Sequence, residues 1–230
     1  FGAAVGGGVL LSGVDLRNST VSGNTAEALG GGAMVVPGFA KYGGAVARID
    51  DSTVSGNSVA SASPYGGYGG GITVYGGGEN DTLITRNSTI AANSASKKGG
   101  GTLGVNIVPD AGTSFIRLKS TLVADNTAAG AASDVIALGE GTSTPVEIPN
   151  GFAAGFSLIE APGGTAFEGD PAGSNITGID PKLSPLASNG GPTQTQAIAA
   201  SSAAVDSAQA NGFTTDQTGN ARTVDAVATN

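Results

Sequence analysis

Residues 69–96 read GGGITVYGGGENDTLITRNSTIAANSAS, and the fold turns on how often this pattern recurs. Residues 6–26 read GGGVLLSGVDLRNSTVSGNTA. Another unit opens at Gly30-Gly31-Gly32 and ends in DDSTVSGNSVA, residues 50–60. A further one opens at Gly99-Gly100-Gly101 and ends in LKSTLVADNTAAG, residues 118–130. The glycine clusters start 24, 39 and 30 residues apart. The pairs Ser19-Thr20, Ser52-Thr53, Ser88-Thr89 and Ser120-Thr121 recur at 33, 36 and 32 residues, and Asn24, Asn57, Asn93 and Asn126 at 33, 36 and 33. Self-similarity at this period is the mark of stacked supersecondary units.

Within each unit the order is glycine cluster, short β-branched run, variable loop, second run, Ser-Thr, an apolar residue, small residues, Asn. Short Val, Ile, Leu and Thr runs bounded by Gly, Asn, Asp and Ser are strand signals. No segment carries apolar residues at helical spacing. The shortest unit, 24 residues, suits a coil of about three short strands and three turns. It is too short for a four-stranded propeller blade and lacks the leucine positions of a leucine-rich repeat. The expected architecture is therefore all-β, a parallel β-helix (solenoid) of six or seven coils, with strands stacked about 4.8 Å apart. Residues 1–160 supply the repeat coils, the last of them degraded. Residues 161–230 supply a loop, one or two terminal coils over 179–206 and a closing segment of the same domain.

Stacked coils place like residues in axial columns. Asn24, Asn57, Asn93 and Asn126 are expected to form one ladder, because an amide both donates and accepts. Thr20, Thr53, Thr89 and Thr121 are expected to form another. Tyr42, Tyr65, Tyr68 and Tyr75 fall in the loops of the middle units and form a candidate contact patch for sugars or protein. Arg17, Arg48, Arg86 and Arg117 precede successive Ser-Thr pairs and suggest a basic stripe. Asp50-Asp51 reads as solvated or turn residues.

Composition limits the chemistry. The 230 residues include forty glycines and no His, Cys or Trp. That removes imidazole acid–base chemistry, disulfides and the usual zinc and iron–sulfur ligands. The net charge is −8, and residues 120–230 carry only Lys182 and Arg222 against eleven acids. No basic face for nucleic acid can be built from this set. No stretch reads as a membrane-spanning helix, and no cofactor or metal site is expected.

The units STVSGN, STVSGN and STIAAN, at residues 19–24, 52–57 and 88–93, resemble the polymorphic outer-membrane-protein type of repeat. That repeat belongs to pectin-lyase-like parallel β-helices of bacterial surfaces, and the resemblance implies a right-handed parallel β-helix here. The second half, through Phe156-Ser157-Leu158-Ile159, residues 179–183 (IDPKL), 185–195 (PLASNGGPTQT), Ala204-Val205-Asp206 and 215–222 (TDQTGNAR), resembles the choice-of-anchor Q proteins. The resemblance implies a secreted or cell-surface protein held by a separate sorting segment. Val224-Asp225-Ala226-Val227-Ala228 departs from the family's usual ending and leaves the mode of attachment open. The expected role is non-catalytic, structural or adhesive, outside a bacterial cell. The expected partner is a second copy, end to end in a fibre or side by side, or a surface glycan. The alternatives are a polysaccharide lyase or glycosidase, for which Asp50-Asp51 is the paired-carboxylate candidate, or a glycan-binding module.

Overall fold

The computed structural model of the chain describes residues 7–13, 15–36, 46–61, 66–75, 83–107, 116–139, 152–165 and 168–222. Every regular element among them is a β-strand. The first coil runs through β1 (Val9–Leu11), β2 (Asp15–Arg17), β3 (Thr20–Ser22) and β4 (Thr25–Ala26). The second holds β5 (Ala33–Val35), β6 (Ala47–Asp50), β7 (Thr53–Ser55) and β8 (Ser58–Val59). The third holds β9 (Ile72–Tyr75), β10 (Leu83–Arg86), β11 (Thr89–Ala91) and β12 (Ser94–Ala95). The fourth holds β13 (Thr102–Ile107), β14 (Ile116–Lys119), β15 (Leu122–Ala124) and β16 (Thr127–Ala128), and β17 (Ala131–Ala132) turns back antiparallel on β16. The fifth keeps β18 (Val135–Gly139), β19 (Phe152–Gly155) and β20 (Leu158–Ile159), and only β21 (Glu168–Gly169) and β22 (Ile176–Thr177) follow.

Corresponding strands pair in parallel into four sheets, ordered β1-β5-β9-β13-β18, β2-β6-β10-β14-β19-β21, β3-β7-β11-β15-β20-β22 and β4-β8-β12-β16-β17. The molecule is a parallel β-solenoid. Two details differ from the sequence reading. Each complete coil has four strands rather than three, because the two residues after each ladder asparagine form a strand of their own. The stack also falls short of six or seven full coils. Residues 179–206 form no coil; their bridges, Leu183 to Ile198 and Ala187 to Thr195, are antiparallel.

The corners explain the regularity. Two residues join the second sheet to the third in each of the five coils. The first of them, Asn18, Asp51, Asn87, Ser120 or Phe156, has φ between 44° and 52°. Asn and Asp tolerate this left-handed geometry best, and they fill three of the five corner positions, with Ser120 and Phe156 in the other two. Length variation goes instead into the connection from the first sheet to the second, which spans residues 36–46 in one coil and 12–14 in another. Glycine is needed where coils come closest: a Cβ on Gly32 would lie 2.7 Å from Gly71 O and 2.8 Å from Asn57 Nδ2.

Inside the coil, alternate residues meet. Leu11, Val35 and Val74 come from the first sheet, Ile49, Leu83, Ile116, Leu118 and Phe152 from the second, and Val54, Ile90, Val123 and Ile159 from the third. Each large side chain so buried stabilises by roughly 1.5–3 kcal/mol. In the fourth sheet, Ala26, Val59, Ala95 and Ala128 are buried and small enough for that side of the coil to lie close to its neighbours.

Candidate functional site

The four asparagines stack at the corner between the third and fourth sheets. Asn24 Nδ2 donates to Asn57 Oδ1 at 2.9 Å, Asn57 Nδ2 to Asn93 Oδ1 at 3.0 Å, and Asn93 Nδ2 to Asn126 Oδ1 at 2.9 Å. The backbone N–H of Asn24, Asn57 and Asn93 donates to the same oxygens. The remaining amide proton reaches a carbonyl of the preceding coil, Val21 O from Asn57 and Val54 O from Asn93. Asn57, Asn93 and Asn126 are 1% exposed, so these bonds carry the full desolvation cost of the amides. The ladder ends on Asp134, which is fully buried. Its Oδ1 accepts from Asn126 Nδ2 at 2.9 Å, and its Oδ2 from the Ala161 N–H at 2.7 Å. Burial pushes the Asp134 carboxyl up to about 6, against the opposing pull of the Ala161 and Asn126 donors.

A hydroxyl ladder occupies the neighbouring corner. Ser19 N–H donates to Ser52 Oγ, Ser52 N–H to Ser88 Oγ, and Thr121 N–H to Ser157 Oγ, at 3.1–3.2 Å. Thr121 therefore stands in the serine column. The strand register places Leu122, not Thr121, beside Thr89. The outward threonine column is Thr20, Thr53 and Thr89, followed by Leu122 and Leu158. Thr121 faces the core corner instead, with its Oγ1 2.8 Å from Thr85 Oγ1.

The outward threonines lie beneath the C-terminal part of the chain. Residues 183–198 form an arm closed by the two antiparallel bridges, and residues 209–222 form a second arm. The second crosses successive coils. Gln209 N–H donates to Ser120 Oγ, and Asn87 Nδ2 to Gln209 O. Asn211 Nδ2 donates to Asn87 Oδ1 at 2.9 Å, and the Arg86 guanidinium lies 4.9 Å over the Phe213 ring. Thr53 Oγ1 donates to Gln217 Oε1 at 2.7 Å. Gln217 joins both arms to the first coil. Its Nε2 lies 3.1 Å from Ser19 O, Thr20 Oγ1 and Thr193 Oγ1, and Thr20 Oγ1 donates to Gln194 O. The turn behind Gln217 is built on Asp216 Oδ1, which accepts from the Thr218 N–H, the Thr218 hydroxyl and the Asn220 N–H.

Asp50 and Asp51 are not solvated, as the sequence suggested. Asp50 is fully buried, and Arg86 grips it with Nε 2.7 Å from Oδ1 and Nη2 2.6 Å from Oδ2. That bidentate contact pulls the Arg86 guanidinium further up. Arg17 adds an ion pair at 3.4 Å. Asp51 is 4% exposed and bonded to Arg222. Burial pushes the Asp51 carboxyl up, and Arg222 opposes that shift. Each carboxylate holds its own arginine, so the two are not left as a free acid–base pair. The basic stripe is split over two columns of mixed charge: Arg17, Asp50, Arg86 and Lys119 share one, and Asp15, Arg48, Ile84 and Arg117 the next. Arg48 pairs with Asp15 at 3.6 Å, and Arg117 with Asp170 at 2.6 Å.

Between the third sheet and the arms lies an open crevice of about 460 Å³. Thr89, Leu122 and Leu158 form its floor, and Gln196, Ile198 and Gln217 part of its wall. Gln196 Oε1 is buried there without a hydrogen-bond partner. Such a crevice can take a small neutral polar molecule. Among the described residues no three of His, Cys, Asp and Glu gather to hold a metal ion, and no helix is long and apolar enough to cross a membrane.

The tyrosine patch is not brought together by the described residues. Tyr42 and Tyr65 lie outside them, and Tyr75 is described only as backbone in β9. Tyr68 bridges Leu29 and Lys98 through its backbone, and its ring lies 5.3 Å from Lys97 Nζ. Asp134, Gln217 and Arg222 were missed by sequence reasoning. Only Gln217 and Arg222 carried a signal, as the polar residues of the TDQTGNAR stretch. Comparison with protein-family models, with curated proteins and with solved structures gives no match for this chain.

Proposed function

We propose that this chain is a non-catalytic structural and adhesive element, a secreted or cell-surface β-solenoid of a bacterium. One observation carries the reading: the polar side chains best placed for chemistry are committed to internal bonds. The Asp50-Asp51 pair, the natural candidate for acid–base work, is held by Arg86 and Arg222. The amides of the ladder are used along the axis. The loops of varying length, between the first and second sheets and between the fourth and first, supply the contacts to other surfaces. Incubation with a panel of uronate polymers tests this reading. No release of unsaturated or reducing ends is expected, and release would overturn it in favour of a lyase or glycosidase.

The crevice favours a second reading, a module that binds glycan without turnover. Its hydroxyl and amide groups beside apolar Leu122, Leu158 and Ile198, and its unpaired Gln196 Oε1, suit a polyhydroxylated ligand. Retention on immobilised polysaccharide that is lost in Gln196→Leu would support this reading over the purely structural one.

A further inference from the structure

Thr20, Thr53 and Thr89 stand in register on successive coils, one outward hydroxyl on each. The arms cap the first two, each time with the carbonyl oxygen of an amide. Thr20 Oγ1 donates to the main-chain oxygen of Gln194, and Thr53 Oγ1 donates to the side-chain oxygen of Gln217 at 2.7 Å. Thr89 holds the next position without a cap. It is half-buried on the crevice floor, and its hydroxyl has no partner among the described residues.

The column changes character one step further on. Leu122 is the register partner of Thr89, about 4.8 Å along the axis, and Leu158 follows it. On the wall, the Gln196 side-chain amide has no partner at either end among the described residues, and its Oε1 is buried. Turning that amide about its last torsion breaks no bond, so it can offer the crevice an oxygen or an NH2. Arg222 is the one cation among the described lining residues, and it is spent on Asp51 and on Thr215 O. No cation is left there to receive a carboxylate.

We infer that the crevice binds the acetamido group of a neutral N-acetylated sugar. The acetamido C=O accepts from Thr89 Oγ1, as Gln194 O and Gln217 Oε1 accept from Thr20 and Thr53. Its N–H donates to the Gln196 oxygen, and its methyl covers Leu122. A bare hydroxyl would satisfy Thr89 but bring nothing apolar to the leucine. The crevice, about 460 Å³, falls within the range of about 300–1,000 Å³ usual for small-ligand pockets. The inference rests on the glycan-binding reading and names the chemical group that reading would require.

Calorimetric titration of the intact chain compares the β-1,4-linked trimer of N-acetylglucosamine with cellotriose, which carries hydroxyls in place of the acetamido groups. The N-acetylated trimer is expected to bind at least about tenfold more tightly. Thr89→Val removes the hydroxyl from a column that already holds Leu in the next coil. It should weaken trimer binding by about three- to tenfold with the melting temperature unchanged, and Thr89→Ser should restore binding. Equal binding of the two trimers would overturn the acetamido assignment and leave glycan binding standing. Binding of neither would overturn both. Trimer binding that Thr89→Val leaves unchanged would put the site outside the crevice and overturn the inference. N-acetylalanine methylamide, which carries the acetamido group without a sugar, is the remaining probe. If it binds as tightly as the trimer, the sugar is overturned in favour of extended peptide.

Discussion

The coils and the arms are both rich in Thr, Asn and Gly, yet they are held by different means. In the coils, polar side chains are buried and bond along the axis to their own counterparts, as Asn57, Asn93 and Asn126 do at 1% exposure. In the arms, polar side chains reach sideways across the coils, and an apolar one such as Ile198 stays 40% exposed. A buried hydrogen bond lost leaves a stranded group, whereas an exposed one is replaced by water. The coils should therefore unfold as one unit, and the arms should open locally at much lower cost.

The largest effect expected from this contrast is at Asn93. Asn93→Ala removes the acceptor of the Asn57 N–H and Nδ2 and the donor to Asn126 and Val54. Chemical denaturation should show a loss of about 3–5 kcal/mol. A loss below about 1 kcal/mol would erase the distinction between coil and arm.

Asp134 comes next, through pH. Its folded pKa, about 6, lies above the ordinary 3.8 because of burial. A carboxyl displaced upward favours the folded state most when protonated. Its contribution is full below about pH 3.8 and is lost as pH rises through about 6. Across that window it should reduce stability by on the order of 3 kcal/mol. Asp134→Asn should remove that share of the slope. The difference in melting temperature between the two proteins, followed from pH 3.5 to 7.5, isolates Asp134 from Asp51, which is displaced in the same direction. A difference that does not change with pH would rule out Asp134 as the source.

Gln217→Ala addresses the arms. It removes the contacts to Thr53, Ser19, Thr20 and Thr193. Hydrogen exchange over residues 183–222 should quicken, while the coils lose only about 1 kcal/mol. Equal quickening in the coils would show that arms and coils open together. The smallest effect is expected at Ser19→Ala, on the edge, within about 0.5 kcal/mol of the parent. Ser88→Ala, buried in the same ladder, should cost about 1–2 kcal/mol in the same denaturation series.

What the sequence made legible was what repeats. The asparagine spacing of 33, 36 and 33 gave the ladder and the coil length. The Ser-Thr spacing of 33, 36 and 32 already held the one-residue slip that puts Thr121 in the serine column, since one chain cannot keep both rhythms in one register. The first arm, within the 179–206 read as terminal coils, was misread, and the second, read only as a closing segment, hid its path because a segment that crosses coils repeats nothing along its own length. Gln217 looks like any turn residue until its partners, nearly two hundred positions away, are known. The burial of Asp50 was hidden for a related reason: Arg17 and Arg86, 33 and 36 residues away, cover it only once the coils stack.

The direction of the second arm has a mechanical consequence. Strands in a solenoid lie across the long axis, so tension along that axis opens one seam between coils at a time, each hydrogen bond loaded in turn. The arm lies along the axis and is fastened to the fourth coil at Ser120, the third at Asn87, and the second and first through Gln217. Parting any of these seams must drag the arm through several fastenings together. A peeling geometry becomes a shearing one, and the force needed to pull the stack apart is set by a segment that belongs to no coil.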